Sequence, residues 1–234
     1  MNYFVTGTDT GIGKTLISCA LLHAFAKQGK KVAGMKPVAA GCDEDGLNED
    51  VKKLRAATNI SARPEQTNPY SFIHPIAPHI AAHHASVSIN LELILESYNE
   101  LASQAEVVIV EGAGGFQIPL NDTQDSTDLA IALGIPVIVV VGMRLGCLNH
   151  ALLTVRAIND CGLNCAGWVA NIIDAEMNAL NENILALQQR IKAPLLGVIQ
   201  HQQQADISAV AAQLDINLLN DPSFHYAICQ AIKT

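Results

Sequence analysis

The stretch YFVTGTDTGIGKT, residues 3–15, decides how this chain folds. A short apolar run, Tyr3 to Thr6, leads into GTDTGIGKT, which opens at Gly7 and closes at Thr15. Beyond it the spacing predicts an amphipathic helix over residues 13–27, with Leu16, Ala20 and Ala24 on one face, Lys27 in the last turn and Gly29 as the stop. A glycine-rich loop between a strand and a helix N-terminus binds anions, because the first N–H groups of the helix are unpaired and its dipole favours negative charge. Gly11 and Gly13 let the main chain curl around phosphate oxygens, Lys14 can reach the β and γ phosphates, and the Thr15 hydroxyl can ligate Mg²⁺. One departure from G-x-x-x-x-G-K-[ST] stands out: Thr8 occupies the place of the first glycine and Gly7 lies one residue earlier.

Outward from that loop, strands alternate with helices. Strands are predicted over residues 31–35, 107–110, 135–141, 165–170 and 195–199, and helices over 91–103, 149–160, 176–191 and 222–232. After residues 31–35 comes a long irregular region that contains the acidic segment 43–50 and Pro64, Pro69, Pro75 and Pro78, with helical pieces near 51–57 and 77–84. The alternation implies an α/β fold of the P-loop type, a doubly wound, mostly parallel sheet flanked by helices. No boundary or repeat divides the chain, so residues 1–234 are expected to form a single domain.

Composition narrows the function. Half of the residues are hydrophobic but only 4% are aromatic, so the core must be built from Ala, Val, Ile and Leu. The formal net charge is −8, with 14 basic residues against 22 acidic ones. No basic face is available to neutralise a phosphate backbone, which argues against a nucleic-acid partner. The six cysteines contain no CxxC pair and read as reduced thiols of a cytoplasmic protein. The N-terminus lacks the layout of a signal peptide, and the longest apolar run, residues 135–142, falls short of the roughly 18–20 residues that span a bilayer. A soluble protein with no membrane partner is expected.

Three further positions carry chemistry. Glu111 ends an apolar strand and opens EGAGG, residues 111–115, where an acidic residue of a phosphate-loop protein helps to hold Mg²⁺. Asp50, from the acidic segment of residues 43–50, is the third candidate ligand beside Thr15 and Glu111, since Mg²⁺ prefers oxygen donors. Lys36 stands in GMKPVAAG at the carboxyl end of the second strand, where open α/β sheets bind ligands. Its amine can stabilise charge that develops on a phosphoryl or carboxylate group. His74, His79, His83 and His84 crowd one segment, but no cysteine or carboxylate completes a zinc set, and a partly buried helix accounts for them. No G-x-S-x-G elbow is present.

In order, the blocks YFVTGTDTGIGKT, GMKPVAAG, NPYSF, EGAGG, PVIVVVGMRLGCLNHALLT, AGWVAN and APLLG resemble the dethiobiotin synthetase family. The resemblance implies a homodimeric enzyme that joins 7,8-diaminononanoate to CO₂ or bicarbonate, with MgATP, and closes a cyclic urea. It assigns Lys36, Lys14 and Thr10 to catalysis, and Thr15, Asp50 and Glu111 to Mg²⁺. ATP would meet Gly11, Ile12, Gly13, Lys14, Thr15 and Leu16, then Asp50, Glu111, Gly112, Ala113 and Gly114. Asn171 would read adenine, beside Gln200, His201 and Gln202. The substrate would meet Lys36 and Gly115, and across the dimer interface the helix start at Gly146, Cys147, Leu148 and Asn149. Three departures from the family pattern are visible: Gly11 where many members are acidic, Ala40 where many have serine, and Gln200-His201-Gln202 where many continue into proline.

Two other protein classes share parts of this pattern. A cobyrinate-type amidotransferase carries an appended glutaminase domain for which the chain ends too soon. A dimeric switch ATPase of the partition or division-site type carries a second lysine early in the loop, at the position held here by Asp9.

Overall fold

Short runs of β-branched residues build the sheet, and the helices between them carry its cover. The computed structural model describes residues 1–43, 46–202 and 205–220; the helix predicted over residues 222–232, and Cys229, lie outside them. Strand β1 (Asn2–Gly7) leads into α1 (Lys14–Lys27), followed by β2 (Val32–Met35), β3 (Val38–Ala40), α2 (Glu49–Ala57), α3 (Pro64–Thr67) and β4 (Tyr70–Phe72). Then come α4 (Pro78–His84), α5 (Leu91–Gln104), β5 (Val107–Glu111), α6 (Ser126–Leu133), β6 (Val137–Met143) and α7 (Cys147–Asp160). The chain continues through β7 (Cys165–Ile172), α8 (Leu180–Gln188), β8 (Leu195–Ile199), α9 (Ile207–Ala211) and a 3₁₀ turn at Ile216–Asn220.

Six strands form one sheet in the order β2-β5-β1-β6-β7-β8, and every pairing is parallel. Strands β5 and β6 are buried along their whole length, as unbroken apolar strands in a sheet covered on both faces should be. Alternation splits the core: Phe4, Val108 and Val110 face a layer that includes Ile94 and Leu101 of α5 and Ala151 of α7. Val5, Ile109 and Val140 face the opposite layer, with Leu21 of α1, Leu54 of α2 and Val210 of α9. No helix among the described residues is long and apolar enough to cross a membrane.

The structure corrects several details. The helix predicted over residues 176–191 is the shorter α8, because Met177 N–H turns back to the Asp174 carbonyl and Ala179 takes a left-handed φ of 53°. Helix α6, absent from the sequence reading, is started by Asp125, whose carboxylate accepts from the N–H groups of Thr127 and Asp128. Residues Val38–Ala40 and Tyr70–Phe72 pair as a small parallel sheet, too short to leave a periodic signal. Asp50 is not in a loop: α2 begins at Glu49, because the Asn48 side chain caps it by accepting from Asp50 N–H.

Candidate active site

Three neighbouring strands deliver the site. Strand β1 ends at Gly7 and feeds the glycine loop, β5 beside it ends at Glu111, and β2 on the outside is followed directly by Lys36. The off-register glycine has a steric cause. A Cβ on Gly7 would lie 2.7 Å from Ile12 Cδ1 and 3.0 Å from Lys14 Cδ, whereas Thr8 is accommodated, with its N–H on the Val140 carbonyl at 3.1 Å.

Lys36 is the centre of the charged cluster. Its Nζ donates to Asp50 Oδ2 at 2.6 Å and to Glu111 Oε1 at 2.7 Å, and Thr15 Oγ1 donates to the same Glu111 oxygen at 2.9 Å. Glu111 is wholly buried and Lys36 nearly so. Burial works to lower the pKa of Lys36, but the Glu111 and Asp50 carboxylates outweigh it and hold the group above its ordinary value. Burial likewise pushes Asp50 up, and the Lys36 charge, with hydrogen bonds from Lys36 and Thr15, brings it below the usual carboxylate value. Glu111 Oε2 is buried and has no hydrogen-bond partner among the described residues. Thr15, Asp50 and Glu111 thus present hydroxyl and carboxylate oxygens, one of them unused, which is the donor set of a hard divalent cation.

Lys14 is also buried, and its Nζ donates to the Asp9 carbonyl at 2.7 Å. Burial, helped by the charge of Lys36 and opposed by Glu111, lowers its pKa to about 8. Asp9 does more than replace a lysine. Its Oδ1 accepts from Thr10 N–H at 2.7 Å and its Oδ2 pairs with Arg144, in the segment before α7. No sequence signal singled out Arg144, because the pair depends on β1 and β6 being neighbours.

Two cavities flank the loop. One, of about 480 Å³, is bounded by Thr10, Lys36, Ala40, Asp50, Ala113 and Gly114, among others. The other, of about 260 Å³, gathers Gly11, Gly13, Leu16, Asn171 and the triplet Gln200, His201 and Gln202. Asn171 Nδ2 donates to the Ile12 carbonyl at 2.7 Å, so the loop and β7 are tied through one amide. Ile12 contributes through this carbonyl, since its side chain is core. Gly112 packs on Phe4, and Gly115 lies against the Gly7 carbonyl at the end of β1. Gly11 takes a φ of +72° with nothing within 4 Å of the site of a Cβ, so the fold leaves room there for the acidic side chain this chain lacks.

Within one chain, Gly146, Cys147, Leu148 and Asn149 line neither of these cavities. They form the start of α7, with Gly146 at its N-cap, the Cys147 side chain buried and Leu145 almost fully exposed. His79 and His83 line a separate cavity of about 650 Å³ beside Leu120 and Asn121. Sequence reasoning missed Asn48 and Asn68. Asn68 Nδ2 donates to the Lys36 carbonyl at 2.7 Å. The signal for Asn48 was present, since Asn followed by Glu49 and Asp50 is a helix-start pattern.

Residues 1–208 match the family model described as an AAA domain. The fold is similar to the MinC:MinD cell division complex of Aquifex aeolicus, at 15% identity and a TM-score of 0.53 over 99% of this chain and 94% of that one. It is also similar to the signal recognition particle receptor FtsY of Elizabethkingia anophelis, at 16% identity and 0.52, over 95% of this chain and 64% of that one. At such identities the likeness is one of fold, and fold and site together define a P-loop α/β nucleotide-binding protein. Sequence relatives go further. The chain is 58% identical to the ATP-dependent dethiobiotin synthetase BioD of Nitrosospira multiformis over 214 residues, 92% of this chain and 94% of that protein. It is 53% identical to that of Aromatoleum aromaticum over 215 residues, 91% and 96% of the two. The chain belongs to the ATP-dependent dethiobiotin synthetase family.

Proposed function

We propose that this chain works as a single P-loop domain that converts 7,8-diaminononanoate, CO₂ and ATP into dethiobiotin, ADP and phosphate. One amine of the substrate attacks CO₂, forming a C–N bond and giving up a proton, which yields a carbamate. A carbamate oxygen then attacks the γ-phosphorus and ADP leaves, producing a carbamic-phosphoric anhydride. The second amine attacks the carbonyl carbon, closes the five-membered urea and expels phosphate. No nucleophilic side chain is required, because positioning and charge stabilisation carry phosphoryl transfer.

The observation that carries this reading is Lys36, a buried ammonium at the wall of the 480 Å³ cavity, next to the phosphate loop. Lys36 stabilises the carbamate and its phosphorylated form. Lys14 and the loop N–H groups hold the phosphates, with Thr10 at the reacting end. Thr15, Asp50 and Glu111 would hold Mg²⁺, and Glu111 Oε2, unpartnered among the described residues, supports that assignment. When bound, the ion neutralises charge on the β and γ phosphates. Asn171, with Leu16 and the Gln200 triplet around it, takes the base.

The helix start at Gly146 to Asn149 takes the substrate carboxylate of a partner protomer in a homodimer. That it lines neither cavity of its own chain supports that arrangement. The reaction belongs in the cytoplasm, where ATP and bicarbonate are at hand. Mass spectrometry of purified protein incubated with diaminononanoate, bicarbonate and MgATP should find the cyclic urea. ATP hydrolysis indifferent to the diamine, with no urea formed, would refute the proposal.

A further inference from the structure

We propose that Asn48, itself at the wall of the reaction cavity, is a positioning residue that sets β3 and α2 against each other there; this rests on the function just proposed. Its side chain is buried and every polar atom of its amide is engaged. Nδ2 donates to the carbonyls of Ala40 at 3.0 Å and Gly41 at 3.2 Å, while Oδ1 accepts from Asp50 N–H at 2.9 Å. Carbonyls only accept and an N–H only donates, so one orientation of the amide satisfies all three contacts.

Those contacts join opposite sides of the chemistry. Ala40 ends β3, the short strand that runs on from Lys36, and lines the cavity, and Asp50 in α2 is the carboxylate that pairs with Lys36. Gly41 holds a φ of +81° with its Cα facing Pro75, another residue of the cavity wall. Ala40 offers no side-chain hydroxyl with which to hold the loop or the diamine. Strand β3 is held along its edge by β4, and Asn48 is the side chain that fastens its end, through the Ala40 and Gly41 carbonyls, to the start of α2.

The chemistry of the amide separates its two duties. Serine at this position keeps the helix cap on Asp50 N–H but is too short to reach the Ala40 and Gly41 carbonyls. Alanine removes both. In Asn48→Ser, the KM for diaminononanoate should rise about tenfold, with kcat and the KM for ATP within about threefold of wild type, because only the loop side is loosened. Asn48→Ala should show the same rise and, in addition, a several-fold higher half-saturating Mg²⁺ concentration.

Amide hydrogen exchange reads the same tie without turnover. Protection at Cys42, whose N–H bonds the Phe72 carbonyl next to this grip, should fall in both variants, while protection of the Asp50 N–H in the first turn of α2 should fall only in Asn48→Ala. Folded variants whose diamine KM stays within twofold of wild type would overturn the proposal, as would an equal change of Mg²⁺ dependence in both. If the wild-type protein forms no cyclic urea, the functional reading fails on its own. The exchange data then still decide whether Asn48 ties the walls, and unchanged protection at both Cys42 and Asp50 sinks it.

Discussion

Lys36 Nζ lies 2.7 Å from Glu111 Oε1, and the two residues share a site from which water is almost wholly removed. A buried pair of this kind is weak support for stability, because desolvation consumes much of its Coulombic gain. It does hold an ammonium in one place, charged, at the edge of a cavity that the phosphate loop also borders.

Lys36→Gln should therefore abolish turnover and spare nucleotide binding. The neutral amide can still donate to Glu111 but carries no charge for the carbamate. A fall in kcat of at least about 100-fold is expected, as for other groups that stabilise developing charge. Calorimetric affinity for ATP should stay within about threefold, since Lys14 and the loop amides are untouched. Activity within about fivefold of wild type would remove Lys36 from catalysis.

ATP affinity should depend on pH through Lys14. Burial lowers its pKa to about 8 in the free protein. A bound triphosphate favours the ammonium and raises that value, so below about pH 8 the residue is already charged and binding moves no proton there. Above it, binding takes up a proton, and affinity falls by a factor that approaches about ten per pH unit. Titration calorimetry in buffers of different ionisation enthalpy measures the uptake directly. Affinity flat from about pH 7 to about pH 9.5, with no uptake, would place the Lys14 proton elsewhere.

Gly13→Ala should damage both the loop and the base pocket. The added Cβ would fall 2.3 Å from Asn171 Nδ2, at a residue whose φ is +90°. Backbone strain there costs about 1–2 kcal/mol, and the amide must also leave the Ile12 carbonyl. A lowered Tm and at least about tenfold weaker ATP binding are expected. Gly11→Asp is the contrasting variant. Its side chain points into open space, and aspartate tolerates the left-handed conformation better than most residues. Thermal unfolding close to that of wild type is the expected result.

Base selection should follow the amide of Asn171. With one Nδ2 hydrogen on the Ile12 carbonyl, the amide orientation is fixed and Oδ1 faces the base as an acceptor, which suits the 6-amino group of adenine better than a 6-oxo group. Inosine triphosphate differs from ATP at that group, and its kcat/KM should be at least about tenfold lower. Equal use of the two nucleotides would mean that Gln200, His201 and Gln202, rather than Asn171, set the pocket.

Much of this site was legible in the sequence, because its parts are local. A strand, a glycine loop and a helix within residues 2–27 are specified by neighbours a few positions apart, and so is a strand that ends in an acid at Glu111. Other parts were not local. Lys36 meets Asp50 across 14 positions and Glu111 across 75, and Asp9 meets Arg144 across 135. The last two follow from the strand order β2-β5-β1-β6, which places the carboxyl ends of chain-distant strands side by side, and the first from the packing of α2 against β2. Asp50 read as part of a loop until the Asn48 cap put it in the first turn of α2. By itself the sequence determined the phosphate loop and the kinds of residue available to the chemistry. Tertiary structure alone decided that Lys36 shares its carboxylates with Thr15, and that Lys14 is buried deeply enough to titrate near 8. Desolvation and sheet order act through space, and chain spacing does not record them.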